Sequence, residues 1–564
     1  MNSLLTAAYT WEEVRKALFQ IGDMKAPGPD GLHAVFFKRF WHILREELTD
    51  EVLEAIHMRK IPEGWKHTNI VLIPKVESPE VITQFRPISL CNVICKIISK
   101  MLANRLKKVL PQIISPTQSA FVSGRLITDN VLISYECFHA IKKKTHGSNG
   151  FCAVKLDMMK AYDRVEWGFL RKMMEKLGFD PGWIEMIMQC VSAVYKIRFN
   201  GTETEDILPT RGLRQGDPLS PYLFLLCSEG LSSMLAHEEE VGRLEGIRVC
   251  RDAPSISHLL FADDSLILMK ANVENANALK RVLDVYCASL GQLVSTAKSS
   301  VFFSPNTSAV VREEVCRNLD ILTEALSDKY LGLPTTIGVD RSDCFQHLID
   351  RICQRIKGWK EKVLLVQGKE ILLKAVAQSI PSYAMSVFKL PKGICKAITD
   401  ELAGFWWGDG KEKRRMHWFT WWKLCMPKRK GGLGFRDLHS FNLTLLAKQC
   451  WRLLQNPESL CAQVLSAKYY PDGNILNAGP KKGSSFTWQS IVAGIQTFKR
   501  GCIWRVGTGT QINIWQDLWI PSSESRKIIT PRGSTMLTKV EELIDPHTGQ
   551  WDEVLIRDVF WPVD

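Results

Sequence analysis

Two patterns of apolar and polar residues alternate along this chain. Short apolar runs rich in β-branched residues, such as 69–74, predict buried strands. Longer stretches with apolar residues at every third or fourth position predict helices, and the first of these follows Thr10, which has a capping-box spacing to Glu13. Further helices are expected at 33–59, 92–109 and 222–235, and a β-hairpin is expected at 505–515. The pattern therefore predicts a protein with both helices and sheets.

The segment 258–268 places two adjacent carboxylates, Asp263 and Asp264, between two short apolar runs. This pattern predicts a β-hairpin with the carboxylates at its tip. Neighbouring negative charges raise the cost of ionising each other, so such a pair is well suited to bind a cation. A solvated turn is the ordinary interpretation of one isolated Asp-Asp pair. A second acidic site elsewhere in the chain favours cation binding over a solvated turn.

That second site is Asp157, at the end of the apolar segment 151–157. In a strand, alternate residues of this segment form a buried face and Asp157 emerges where the strand ends. Together with Asp263 and Asp264, it could hold two Mg²⁺ ions about 3.5 to 4 Å apart, as in enzymes that transfer phosphoryl groups. Hard divalent cations prefer such oxygen ligands.

Four more side chains suit the binding of a nucleotide. Lys75 and Arg86 end adjacent extended segments and could bind one phosphate together, although either alone would be an ordinary surface cation. Tyr162 follows Asp157 closely and could lie under a sugar, but a tyrosine at the start of a helix is more often part of the core. Gln215 lies in a loop rich in glycine and proline, which lets the backbone approach a ligand closely.

Composition limits the class of protein. The 564 residues are 45% hydrophobic and 24% charged, as in a soluble globular protein of several domains. No stretch approaches the roughly 20 apolar residues of a membrane span, and no targeting signal is visible, so an intracellular protein of the nucleus or cytoplasm is expected. The net charge of +13 fits a polyanionic partner. The 16 cysteines contain no Cys-x-x-Cys spacing, which favours free thiols over a zinc site.

Five motifs in order carry a resemblance to a known family. They are Ile-Pro-Lys75, Phe-Arg86-Pro-Ile-Ser-Leu, Leu-Asp157-x-x-Lys-Ala-Tyr-Asp163, Arg-Gln215-Gly-Asp-Pro-Leu-Ser-Pro and Phe-Ala-Asp263-Asp264. From about residue 11 to 521 the chain resembles the reverse transcriptases of LINE-type, non-LTR retrotransposons, of the kind abundant in plant genomes. The resemblance implies an α+β right-hand polymerase, with fingers, a palm built on an antiparallel sheet, and a helical thumb, followed by a Trp-rich and mostly helical C-terminal region.

The same resemblance implies roles for individual residues. Asp157, Asp263 and Asp264 would be the catalytic ligands of two Mg²⁺ ions, or of Mn²⁺. The incoming deoxynucleotide would be bound by Lys75, Arg86, Tyr162, Gln215 and Lys298. Tyr162 would exclude ribonucleotides, and a general-acid role for Lys298 is a hypothesis. One departure from the family precedes that lysine, where the chain has Ser289-Leu-Gly-Gln292-Leu-Val-Ser295.

The resemblance also divides the chain and names its partners. The expected segments are a helical extension at 1–60, fingers and palm at 61–305, the palm end and thumb at 306–400, and a Trp-rich, basic region at 401–564. An RNA template and a DNA primer would contact basic residues, among them Arg125, Arg211, Arg214, Lys360 and Lys369. The chain ends before any zinc-binding or RNase H module, and no endonuclease precedes residue 11, so a separate endonuclease would have to cut the target.

The tryptophans support a nucleic-acid partner. Thirteen of the 18 lie at or after Trp359, interleaved with lysine and arginine. Aromatic rings among cations suit stacking on unpaired bases, although most indoles belong to a core. We therefore expect an RNA-directed DNA polymerase. Two alternatives stay open: a catalytically weak or inactive retroelement remnant, and a maturase-like protein that binds RNA without copying it.

Overall fold

The computed structural model describes residues 1–325, 328–335, 337–338, 341–360, 364–408, 415–521 and 525–564, without the side chain of Lys360. The chain divides into two compact units. The first comprises residues 1–344 and 456–473, and the second comprises 345–455 and 474–564. The predicted division into four segments stays a prediction, because compactness alone does not mark the parts of a polymerase.

Helices make up most of the regular structure. Up to residue 319 they are α1 (Asn2–Leu5), α2 (Trp11–Gln20), α3 (Ala34–Arg39), α4 (Trp41–His57), α5 (Glu63–Lys66), α6 (Val93–Ile113), α7 (Ile127–Lys143), α8 (Trp167–Lys176), α9 (Pro181–Val191), α10 (Ser220–Glu240), α11 (Val273–Leu290) and α12 (Ala309–Leu319). They continue with α13 (Gln346–Lys360), α14 (Val366–Ala375), α15 (Ser382–Met385), α16 (Lys392–Trp407), α17 (Trp421–Cys425), α18 (Leu438–Gln455), α19 (Leu460–Tyr469), α20 (Phe486–Gly501) and α21 (Glu553–Val559).

In the part of the chain that the structure describes, the strands form two four-stranded sheets and one small hairpin, all in the first unit. They are β1 (His67–Pro74), β2 (Phe85–Cys91), β3 (Gly150–Leu156), β4 (Val194–Phe199), β5 (Thr202–Glu203), β6 (His258–Phe261), β7 (Asp264–Ala271), β8 (Ser300–Phe303), β9 (Lys329–Tyr330) and β10 (Leu333–Pro334). One sheet has the order β2-β1-β4-β5, the other has the order β6-β7-β3-β8, and β9 pairs with β10. The α+β class expected from the sequence is confirmed.

The sheet β6-β7-β3-β8 is antiparallel throughout and brings the two acidic segments together. The last pair between β3 and β7 joins Leu156 to Ser265. Asp157, one residue further along, therefore stands next to Asp264 across the two strands. Sheet register thus brings the backbones of Asp157 and Asp264, 107 residues apart in sequence, to neighbouring strand ends.

A continuous apolar core supports this sheet. It extends from α2 and α4 through α6 and α10 to α11, and most of α6 and α10 is buried in it. The capping box predicted at Thr10 and Glu13 is present. The helix predicted at 33–59 is divided by Phe40 into α3 and α4. In the described residues, no helix is both long and apolar enough to cross a membrane.

The end of the second unit differs from expectation. The sequence predicts a hairpin at 505–515, but Ile514 donates its backbone hydrogen bond to Thr538, and Asn513 forms an isolated bridge with Lys539. The segment therefore pairs with residues further along the chain instead of folding back on itself. The predicted hairpin is wrong, because local alternation cannot identify a partner 25 residues away. A small core that includes Ile514, Trp519 and Val540 replaces it.

Candidate active site

The hairpin of β6 and β7 carries the paired carboxylates. Phe261 pairs with Asp264, which leaves Ala262 and Asp263 as a two-residue loop. Ala262 has a φ of +55°, in the left-handed region that favours glycine. Asp263 in the loop and Asp264 at the start of β7 are both exposed. The hairpin predicted from the sequence is confirmed, with a strained residue directly before the two acids.

Asp157 is held by its backbone. Its N–H donates to Ser299 Oγ over 3.2 Å, and its carbonyl accepts from the Ser295 N–H over 2.8 Å. Lys298 Nζ lies 3.8 Å from Asp157 Oδ2, and the Lys298 side chain is 76% exposed. The lysine predicted at the pyrophosphate therefore stands beside the first carboxylate, where its charge is free to move toward a ligand.

The segment that departs from the family runs alongside the residues after Asp157. The backbone N–H of Met159 donates to Leu293, and that of Glu166 donates to Leu290. Gln292 is buried, and its Nε2 donates to the Ala161 carbonyl over 2.8 Å. With the bond from Ser295 to Asp157, these contacts bind segment 290–295 to the loop that follows β3.

The three carboxylates influence one another electrostatically. Burial and the charges of Asp263 and Asp157 raise the pKa of Asp264, while Lys155 opposes them. Burial and Asp263 raise the pKa of Tyr162 to about 12. A ready-made cluster of three ligands for a metal ion is nevertheless absent from the part of the chain that the structure describes. Carboxylate oxygens suit Mg²⁺, which commonly takes one or two carboxylates and completes its shell with water and phosphate oxygens, so the donor set fits.

A cavity of about 600 Å³ opens beside the acidic hairpin. It is lined by four of the residues predicted to bind a nucleotide and by one of the carboxylates: Lys75, Arg86, Tyr162, Gln215 and Asp263. Lys298 is not among the lining residues. The sequence motifs, spread over 190 residues, thus surround one space large enough for a small ligand.

Lys75 and Arg86 share one face of the sheet β2-β1-β4-β5. Ile73 pairs with Arg86, and the Lys75 N–H bonds to the Gln84 carbonyl, so the two cations are diagonal neighbours on an antiparallel pair. Both are exposed, and Lys75 Nζ donates to the Thr83 carbonyl over 3.1 Å. This placement supports the prediction that the two cations can meet one phosphate group.

Tyr162 and Gln215 are fixed by neighbours that the sequence alone did not single out. The Tyr162 ring stacks on Phe224 of α10, with ring centres 4.9 Å apart and planes 10° apart. Gln215 Nε2 donates to Asp163 Oδ1 over 3.0 Å, and the Gln215 carbonyl accepts from the Ser89 N–H of β2 over 2.9 Å. Burial raises the pKa of Asp163.

The predicted nucleic-acid contacts are placed differently. Arg214 is 5% exposed, pairs with Asp217 over 2.8 Å and donates to the Cys190 carbonyl, so its guanidinium points inward. Arg125 donates to the carbonyls of a neighbouring loop, including those of Ser115 and Gln118. These inward contacts disfavour a direct phosphate contact by either residue. Each guanidinium instead binds backbone carbonyls of the surrounding chain.

The remaining predicted contacts are more accessible. Arg211 is exposed, with a 3.3 Å ion pair to Glu166. Lys369 lies in the second unit, with Nζ 5.6 Å from the centre of the Phe405 ring. The side chain of Lys360 falls outside the described part of the chain. Contact of these residues with nucleic acid stays a prediction.

Comparison with known proteins agrees with this geometry. Residues 73–335 match the family model of the reverse transcriptase (RNA-dependent DNA polymerase). The chain is 28% identical over 470 residues to an uncharacterized 149 kDa protein of transposon TX1 from Xenopus laevis, an alignment that covers 83% of this chain and 35% of that protein. The chain carries a reverse transcriptase domain at 73–335 and is similar to proteins of LINE-type, non-LTR retrotransposons. Its α+β architecture agrees with the right-hand polymerase fold that the resemblance implied.

Two further relatives cover different parts of this chain. The Pol polyprotein of the retrotransposable element R2 from Popillia japonica is 29% identical over 284 residues, which are 50% of this chain and 37% of that protein. An uncharacterized mitochondrial protein of Arabidopsis thaliana is 39% identical over 143 residues, 25% of this chain and 93% of that protein. The chain spans about a third of the length of the TX1 and R2 proteins.

Proposed function

We propose that this chain is an RNA-directed DNA polymerase of a non-LTR retroelement, which extends a DNA primer on an RNA template. The observation that carries the proposal is the cavity that Lys75, Arg86, Tyr162 and Gln215 line beside Asp263. Cations for a triphosphate, an aromatic ring for a sugar and carboxylates for a metal ion are the groups that nucleotide transfer requires. The match of residues 73–335 to the reverse transcriptase family model supports the same reaction.

In the proposed reaction the primer 3′-hydroxyl oxygen attacks the α-phosphorus of a deoxynucleoside triphosphate. The bond from the α-phosphorus to the bridging oxygen breaks, pyrophosphate leaves, and the hydroxyl proton passes to solvent. Asp157, Asp263 and Asp264 would hold two Mg²⁺ or Mn²⁺ ions, which supply charge compensation at the attacking and leaving oxygens. The chain's own contribution is to hold the reacting groups in line.

Each cavity residue has a distinct task in this proposal. Arg86 binds triphosphate oxygens through its planar fork, and Lys75 adds a point charge on the same face. Tyr162, backed by Phe224, presents a ring edge where a 2′-hydroxyl would project. Gln215 orients the nucleotide from its loop. Lys298, whose Nζ lies 3.8 Å from Asp157 Oδ2, would neutralise a leaving phosphate.

A surface of the second unit would bind unpaired template. Trp418 and Trp422 are 72% and 70% exposed, whereas neighbouring Trp421 stacks on Phe435 with ring centres 4.9 Å apart. Three exposed cations follow at 428–430. Exposed indoles beside cations provide stacking for bases and contacts for phosphates, independent of sequence.

The test is primer extension on an RNA template with Mg²⁺ and deoxynucleotides. The parent chain is compared with a variant carrying Asp263→Asn and Asp264→Asn, which keeps size and removes both charges. Asp252→Asn, at an exposed position in the same unit, is the matched control. We expect extension by the parent and the control, and a loss of at least about a thousandfold in the double variant, equivalent to roughly 4 kcal/mol of transition-state stabilisation.

Two outcomes would contradict the proposal. Extension that survives in the double variant would remove the carboxylates from the site. A parent chain that binds primer and template tightly but never extends would move the function to the RNA-binding alternative.

A further inference from the structure

A buried glutamine contacts the strained loop of the acidic hairpin. Gln118 lies between α6 and α7, is 1% exposed, and is separated by 144 residues from Ala262. Its Oε1 accepts hydrogen bonds from the N–H of Ala262 over 3.1 Å and from that of Ala120 over 3.0 Å. A side chain from a distant loop therefore holds the residue that directly precedes the two acids.

The residue that Gln118 holds adopts a conformation that its own side chain disfavours. Ala262, at a φ of +55°, carries a Cβ where glycine would be unstrained. Its N–H belongs to the two-residue loop and lies outside the ladder between β6 and β7. Such strain persists only where the surroundings impose it. The acceptor oxygen of Gln118 is the group that imposes it from outside the hairpin.

The loop around Gln118 also forms hydrogen bonds with β6, the strand before the turn. The Leu260 N–H donates to the Thr117 carbonyl over 2.9 Å, and the Leu260 carbonyl accepts from the Ser119 N–H and from Asn130 Nδ2. Gln118 and Leu260 form a parallel bridge. The end of β6 therefore binds the loop around Gln118 on the side opposite to β7.

Gln118 is itself fixed in place. Its N–H donates to the Ser115 carbonyl over 3.1 Å, and its carbonyl accepts from Arg125 over 2.8 Å. Its Nε2 lies 3.5 Å from Ser228 Oγ on α10. Because both its backbone and its side chain are anchored, its Oε1 is a rigid acceptor, as a group that positions a site must be.

We propose that Gln118 is a positioning residue of the polymerase site, which holds Ala262 in its left-handed conformation and thereby places Asp263 and Asp264 opposite Asp157. The proposal rests on the function proposed above. It also gives the segment around Gln118 a role in the site that does not involve contact with the nucleotide or the template.

The experiment replaces the acceptor and then removes the strain. Gln118→Met has similar length and no strong acceptor, so the turn should relax and the carboxylates should move apart. We expect roughly a ten- to hundredfold lower kcat, because small displacements of reacting groups have effects of that size, with an unchanged KM for primer–template. Adding Ala262→Gly, which adopts the same φ without strain, should restore a large part of the loss.

Binding of Mn²⁺ provides a measurement that does not depend on turnover. Titration followed by electron paramagnetic resonance should show weaker Mn²⁺ binding in Gln118→Met and recovery in the double variant. The matched control is Gln378→Met, because Gln378 is another glutamine that is 1% exposed and bonds to a backbone, that of Arg436, within the second compact unit. Its Mn²⁺ affinity should equal that of the parent even if its melting temperature falls.

Unchanged Mn²⁺ binding and kcat in a folded Gln118→Met variant would overturn the proposal, and so would a loss that Ala262→Gly does not reverse.

Should Gln118→Met fail to fold, Gln118→Asn tests the same bond, because its oxygen falls about 1.5 Å short of the turn. Parent-like Mn²⁺ binding in Gln118→Asn would then refute the positioning role. If the parent binds Mn²⁺ through the carboxylates and does not polymerise, the function proposed above fails while the positioning role is still measured.

Discussion

Gln215 and Asp163 join the two loops that flank the candidate nucleotide cavity, through a 3.0 Å hydrogen bond from the amide to the carboxylate. Asp163 lies six residues after Asp157, and Gln215 belongs to the glycine- and proline-rich loop before α10. The bond therefore sets the distance between the segment that follows β3 and a segment bound to β2 through Ser89.

Replacement of Asp163 by asparagine tests the cost of burying its charge. Burial raises the pKa of Asp163 above its usual value. The ionised carboxylate therefore lowers the free energy of unfolding, and this loss of stability develops as the pH rises through the raised pKa. Asn keeps an acceptor for Gln215 without a charge. We expect Asp163→Asn to raise the urea midpoint at pH 7, and this gain to vanish near pH 3, where aspartate is protonated in both states.

The control is Asp163→Ala, which removes the same charge and also leaves the Gln215 amide without its acceptor, so it should be about 1 kcal/mol less stable than Asp163→Asn at both pH values. A gain for Asp163→Asn that is independent of pH would contradict the assignment to ionisation.

The gate role of Tyr162 predicts a change in sugar selectivity. Tyr162→Ala should admit ribonucleotides, because it opens the space that the ring fills above Phe224. Single-nucleotide incorporation with matched deoxy- and ribonucleotides measures the ratio of kcat/KM. Tyr222→Ala is the control, since Tyr222 contacts Phe121 and does not line the cavity. Equal selectivity in Tyr162→Ala and the parent would remove the gate.

Arg214 should act through stability and not through template binding. Its ion pair with Asp217 is buried on both sides, and Asp217 Oδ2 also accepts from Ser99. Arg214→Ala leaves a buried carboxylate without its cation and should cost about 3 to 5 kcal/mol. The salt dependence of RNA binding by the folded variant should equal that of the parent. A shallower salt dependence would restore the phosphate contact predicted from the sequence.

The exposed indoles of the second unit predict a loss of affinity for unpaired RNA. Trp418→Ala and Trp422→Ala should each weaken binding by about 1 to 3 kcal/mol, the usual contribution of one stacked base. Trp561→Ala, a tryptophan of the same unit that is 53% exposed, should bind like the parent. Fluorescence anisotropy with a labelled oligoribonucleotide measures all three. Equal losses in all three variants would indicate a general effect on the unit.

Sequence patterns predicted what local chemistry and strand alternation determine. The hairpin of Asp263 and Asp264, the exit of Asp157 from its strand and the shared face of Lys75 and Arg86 all follow from short-range rules. The motifs then indicated that these three elements belong to one nucleotide-transfer site.

The burial and the tertiary neighbours of the residues that hold these segments cannot be read from the sequence. Arg214 resembles any arginine in a basic loop, and only the fold reveals that Asp217 and Cys190 surround it. Gln118 likewise resembles a polar loop residue until Ala262 is brought against it. Cation counts cannot separate an arginine that faces solvent from one that binds carbonyls, as Arg125 does.

Segment 290–295 holds the loop after Asp157 mainly through peptide groups, those of Leu290, Leu293 and Ser295. Peptide groups are the same in every residue except proline, so the exposed side chain of Leu293 can be replaced while Asp157 keeps its support. Three neighbouring positions differ: Leu290 is buried, Gly291 has a φ of +74° with the Arg164 carbonyl 2.7 Å from where a Cβ would lie, and the buried Gln292 side chain donates to Ala161. Proline at position 295 would also be disruptive, because it has no N–H to donate to the Asp157 carbonyl. Sequence divergence in this stretch is therefore informative at 290, 291, 292 and 295 and uninformative at 293.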